Sequence, residues 1–179
     1  MTLYPYTLLM HIMGVIGLFI AISLEMIILS RLRAAKLTAQ VHEWLTLGRV
    51  IDLLLPISAA LILISGLVLT FSVWGWEHAW IELSLGLLVL VGILSPVING
   101  PRLKAIHAEA KTAPEGEIPA SLRKAIANPV LRAYVPIPGL IALGAVGMMV
   151  LKLDWLGSGI VLALVLIASL IIFAISRKG

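Results

Sequence analysis

The stretch from Trp155 to Ser176 reads WLGSGIVLALVLIASLIIFAIS, 22 residues without a charged side chain. At 1.5 Å per residue a helix of that length spans about 33 Å, enough to cross a hydrocarbon core about 30 Å thick. In lipid a helix satisfies its own backbone polar groups, so the stretch is predicted to be a transmembrane helix. The remainder of the chain has the same character. Of 179 residues, 61% are hydrophobic and 12% charged, with a mean hydropathy of +1.12. A soluble domain carries about 25% charged residues, so an ordinary soluble enzyme is excluded, as is a disordered chain.

Working outward, four more apolar runs complete an all-α, polytopic membrane bundle of five transmembrane helices in one domain over residues 1–179. The spans are expected at about 4–30, 48–73, 79–99, 134–151 and 155–176. Leu153 and Asp154 leave room only for a tight hairpin turn. Residues 31–47 read as a basic loop. Residues 101–132 read as a polar connection on the cytoplasmic side. Within it Pro119–Ala127 forms a short helix whose Leu122 and Ile126, followed by Val130, suit a piece lying on the membrane surface. With five spans, Lys152 stands at one end and the other twelve of the 13 Lys and Arg residues at the opposite end. The positive-inside rule then puts the N-terminus outside and the C-terminus in the cytoplasm of a bacterial inner membrane. The first span lacks an N-terminal basic residue and ends in a stop-transfer pattern, so it is not expected to be a cleaved signal. Tyr4, Tyr6, Trp74, Trp76, Trp80 and Trp155 map to the outer interface as an aromatic belt, and Trp44 and Tyr134 to the inner one. The partner that basic residues beside apolar spans call for is the lipid bilayer rather than nucleic acid. Other membrane subunits or a second copy are also compatible.

Polar side chains inside a membrane are costly and mark interior faces. His11, Gly14, Leu18, Ala21 and Glu25 share one face of the first helix by their three-and-four spacing. Arg49, Asp52, Pro56, Ala59, Leu63, Gly66 and Thr70 do the same in the second, and His78, Glu82, Leu85, Val89, Gly92, Pro96 and Asn99 in the third. These three faces are expected to meet, with polar residues in two layers. At the inner end, Glu25 and Arg49 read most simply as an ion pair beside Asp52, and alternatively as a relay. At the outer end, Thr70, His78 and Glu82 are the candidates to approach His11, although His78 and Glu82 read most simply as interfacial and wet. His11 itself reads as a hydrogen-bonded structural histidine, as a haem or metal ligand with His78 as the second metal ligand, or as a substrate or proton group. Met10, Met13 and Met26 read as helix filler, with a copper path as the alternative.

The chain has no cysteine, which removes thiolate chemistry and covalent haem. It also has no phosphate loop, nucleophile elbow or paired-histidine zinc motif. The run Leu8-Leu9-Met10-His11-Ile12-Met13-Gly14 resembles the first helix of the CopD-like copper-resistance proteins and the HemJ-type protoporphyrinogen oxidases. Leu18 and Phe19 stand where those families carry a tryptophan. The resemblance implies b-type haem or copper at His11 and a redox or metal-handling role. The alternatives are a non-catalytic accessory subunit of a membrane complex and a small-solute or proton carrier. Further segments, Gly100-Pro101-Arg102-Leu103, Ile118–Arg123 with Asn128–Ala133, and Met148–Lys152, resemble a bacterial family of integral membrane proteins of unknown function. Pro136-Ile137-Pro138-Gly139 departs from that pattern and is expected to bend the chain.

Overall fold

The apolar runs form five helical segments long and apolar enough to cross a membrane: Tyr4–Ala34, Thr38–Trp74, Ala79–Thr112, Ala120–Leu151 and Trp155–Ser176. The computed structural model describes residues 3–178. The helices are α1 (Tyr4–Ala34), α2 (Thr38–Leu69, continued by a π turn over Thr70–Trp74), α3 (Ala79–Ile98), α4 (Gly100–Thr112), α5 (Ala120–Ile126), α6 (Pro129–Tyr134), α7 (Ile137–Leu151) and α8 (Trp155–Lys178). No strand occurs among the described residues.

Three differences from the sequence reading share one cause. The basic stretches after the first and third spans are helical, not loops. α1 and α2 run past the apolar core and are joined by Ala35, Lys36 and Leu37 alone. α3 continues through Asn99 into α4. Charged residues on a helix report the end of the lipid, not the end of the helix.

Beyond the lipid these projecting ends build a head with its own core. Leu29, Leu32, Val41, Ile106, Leu122, Ile126 and Leu131 pack in one cluster. Leu122 and Ile126 therefore face protein, and their helical periodicity served a buried core rather than the membrane surface. Short polar contacts fix the connections. Gln40 Oε1 accepts from the Lys36 and Leu37 N–H groups at 2.9 and 3.3 Å. The Thr38 N–H donates to the Gly116 carbonyl at 2.9 Å. Asn128 caps α6 by accepting from the N–H groups of Val130 and Leu131 at 3.0 and 3.2 Å. Val135 and Pro136 break the path between α6 and α7, at the segment where a bend was expected.

Inside the membrane the helices sort into two groups. α1 and α2 lie flat against each other, while α3 packs mainly on α7, and α7 on α8. The α1–α2 seam is made by small residues. Gly14 lies so close to Ile62 that an added Cβ would sit 2.9 Å from its Cγ1, and Gly17 abuts Ser58. The buried positions of α2 in the span are Ser58, Ile62, Ser65 and Leu69. That face lies one residue round the helix from the polar stripe Asp52–Thr70. In the second group, Gly144 lets Val165 approach α7, and Trp80, Ile81, Tyr134, Ile141 and Met148 fill the core. The α7–α8 hairpin closes as expected. Lys152 takes a left-handed φ of 47°, and Asp154 Oδ1 accepts from the Gly157 N–H at 2.8 Å.

Candidate functional site

The three polar stripes converge, but on a space rather than on one another. Between the α1–α2 hairpin and the α3–α7 pair runs a groove of two adjoining chambers. The first, about 450 Å³, is lined by His11, Leu63, Gly66, Thr70, Trp74, Trp80, Leu85 and Lys152 among others. The second, about 580 Å³, is lined by Leu18, Glu25, Asp52, Pro56, Ala59, Val89, Gly92, Pro96 and Asn99 among others. The walls shared by the two chambers include Val15, Ile62, Leu88 and Met149. Gly14 and Ala21 are buried outside the groove lining, Gly14 against Ile62 of α2.

His11 sits in the wall of the first chamber, about 10 Å along α1 from Tyr4. The residue is 9% exposed. Nδ1 lies 3.1 Å from the Ile62 carbonyl oxygen and 3.1 Å from Ser65 Oγ. The Ser65 hydroxyl donates to the Leu61 carbonyl, so toward His11 its oxygen accepts. A carbonyl also only accepts. Nδ1 therefore carries the proton and donates to both, which leaves Nε2 with a lone pair in the neutral ring. Gly66 makes room for this orientation: a Cβ there would stand 3.2 Å from His11 Cε1. Thr70 is buried and donates through Oγ1 to the Gly66 carbonyl at 2.8 Å, within the turn where α2 loosens into its π segment. Such turns often accompany functional sites. Tyr4, Trp74 and Trp80 close this end, with ring centroids 6.5 Å apart for Tyr4–Trp74 and 5.1 Å for Trp74–Trp80. Trp80 is thus buried, not a belt residue.

Of the two readings of His78 and Glu82, the wet, interfacial one agrees with their exposure. His78 and Glu82 are exposed and line neither chamber. His78 stacks on Trp80 with centroids 5.9 Å apart. They lie at the very start of α3, where the chain turns out of the apolar slab. No group of three or more His, Asp or Glu residues suited to a metal ion occurs among the described residues.

In the second chamber the expected pair of Glu25 and Arg49 is not formed. Arg49 is exposed. The partner of Glu25 is Asn99, whose Nδ2 donates to Oε1 at 3.1 Å. Asp52 lines the chamber, with no ion pair among the described residues. The reason lies in the helix rotation described above: the α1–α2 seam uses Ser58 and Ile62, which turns Arg49 away from α1. Ser65, which fixes the His11 tautomer, was missed by the sequence reading. Its signal was there, since Ser58 and Ser65 are seven apart and share a face in an otherwise apolar helix. Lys152, in the sequence a marker of topology, also stands at the rim of the first chamber.

Comparison with known proteins finds no family model, no curated protein and no solved structure that matches this chain.

Proposed function

We propose that this multi-pass protein of the bacterial inner membrane, its basic end in the cytoplasm, is a redox protein that holds b-type haem in the first chamber with His11 as ligand. The observation that carries the reading is the tautomer of His11. A backbone carbonyl and a serine oxygen hold its Nδ1–H, the second-sphere arrangement that orients an imidazole for ligation through Nε2. The residues present fit the group. The chamber is apolar, Gly66 lets the imidazole seat against α2, and Trp74 and Trp80 stand in its wall. Lys152 is the cation at the rim for a propionate. Haem supplies reversible one-electron transfer when bound. The chain's own residues orient the ligand nitrogen and keep water from the apolar walls. Copper at His11 has less support, because His78 and Glu82 do not line the chamber.

The test is the visible absorption spectrum of protein purified from haem-replete cells. A Soret band that shifts on reduction and is lost in His11→Ala is expected. A colourless wild-type protein would overturn the haem reading in favour of an accessory subunit whose groove receives an apolar segment of a partner. A reporter fused after Gly179 tests the orientation, and activity on the periplasmic side would reverse it.

A further inference from the structure

His11 stands on α1, and the wall across its chamber is supplied by α3 and α7. A haem held on one side by a histidine leaves its other axial position to a group from the opposite wall, to water or to an added ligand. Few groups in that wall carry a lone pair for iron. Ile81, Leu85, Leu88 and Val146 are hydrocarbon, and the Trp80 indole only donates. Lys152 is exposed at the rim and, as an ammonium, has donors but no lone pair. Tyr4 and Thr70 stand on His11's own side of the chamber, on α1 and on the π turn of α2, and the Thr70 hydroxyl is given to the Gly66 carbonyl. Met149 remains, and its thioether is a soft donor that haem iron accepts.

Level and direction agree with that choice. The Ser84 hydroxyl donates to the Ala145 carbonyl at 3.4 Å, which sets α7 against α3. Met149, one turn beyond Ala145 toward the aromatic end, therefore stands level with the first turn of α3, where Trp80 and Ile81 lie. His11 lies deeper, about 10 Å along α1 from Tyr4. Side chains lean toward the N-terminus of their own helix. α1 begins at the aromatic end and α7 finishes there, so His11 leans outward and Met149 inward, toward a common level. Met149 also lines both chambers, which places it where the two join. Its neighbour Met148 is fully enclosed in the core with Trp80, whereas Met149 is half-buried on the groove.

We propose that Met149 is the second axial ligand, opposite His11, of the haem in the first chamber. This rests on the haem reading above and narrows it. With both axial positions filled by the chain, the site suits electron transfer rather than the binding of a small ligand at iron, and a thioether ligand raises the potential at which the electron is held.

The experiment compares the full chain, purified in detergent from haem-replete cells, with Met149→Leu, Met149→His and Met148→Leu. The readouts are the spin state of the ferric protein by electron paramagnetic resonance, carbon monoxide binding to the reduced protein, and the midpoint potential. The wild type should be low-spin. Met149→Leu keeps the side-chain volume and so the fold, and it should retain the Soret band while becoming high-spin. Its carbon monoxide binding should be faster by about tenfold or more, because in the wild type the position is open for only a small fraction of the time. Met149→His should restore the low-spin state at a lower potential, which a residue that merely fills space would not do. Met148→Leu should match the wild type. A coloured wild type that is already high-spin, or whose spin state Met149→Leu leaves unchanged, overturns this proposal and leaves the haem reading standing. A colourless wild type overturns both.

Discussion

Val41, Ile106, Leu122 and Leu131 in the head are completely enclosed, whereas Ile16, Leu63 and Val89 in the groove remain 47%, 37% and 48% exposed although helices face each other across them. The same residue types behave differently because the solvent differs. In the head the alternative to contact is water, and closing a gap gains about 25 cal/mol for each Å² of apolar surface hidden. In the membrane the alternative is lipid, as apolar as leucine, so only close fit and hydrogen bonds draw helices together. Where small residues permit that fit, as at Gly14 and Gly17, the helices touch. Where they do not, a groove persists without penalty and is available to a ligand.

The largest effect should separate the two regions directly. Leu122→Ala empties a filled site in the head and is expected to cost about 2–5 kcal/mol. Leu63→Ala in the groove should stay within about 0.5 kcal/mol. Thermal unfolding in detergent measures both, and equal losses would mean that the groove is as tightly packed as the head. Next comes a contrast between glycines. Gly14→Ala forces a methyl against Ile62 and should destabilise by about 1–3 kcal/mol. Gly92→Ala meets nothing within 4 Å and should lose nothing. A neutral Gly14→Ala would show that the α1–α2 seam yields easily. The smallest effect concerns pairing. A double-mutant cycle between Glu25 and Asn99 should give a coupling of about 1 kcal/mol. The cycle between Glu25 and Arg49 should be additive to within about 0.5 kcal/mol. Coupling in the second cycle would restore the ion pair that the geometry lacks.

Much of the candidate site was legible along the chain. His11, Thr70, Glu25 and Asp52 all line the groove, because a polar residue in an apolar helix has few places to go. Asn99 was visible as the polar end of its stripe, but its bond to Glu25 was not. Long-range partners depend on how far each helix is turned about its axis, and a turn of one residue is enough to move Arg49 away from α1. His78 and Glu82 stay outside the groove for a related reason. Spacing puts them on the face of Leu85 and Val89, but they precede or begin α3, where the helix has yet to enter the bundle.

Hydropathy and length alone were enough to establish five spanning helices, the tight α7–α8 turn and the gathering of basic residues at one end. These follow from the cost of exposing a backbone or a charge to lipid, which each segment meets by itself. The head was a different matter. Leu122 and Ile126 show the period of an amphipathic helix, but such a helix suits a membrane surface and a protein core equally well. The choice was made by the projecting ends of α1 and α2, which offer Leu29, Leu32 and Val41 as a closer partner than lipid. Likewise the groove, the tautomer of His11 and the bond between Asn99 and Glu25 arise between segments distant in the chain. They depend on helix rotation and on gaps that lipid leaves unclosed, and neither is written in any one segment.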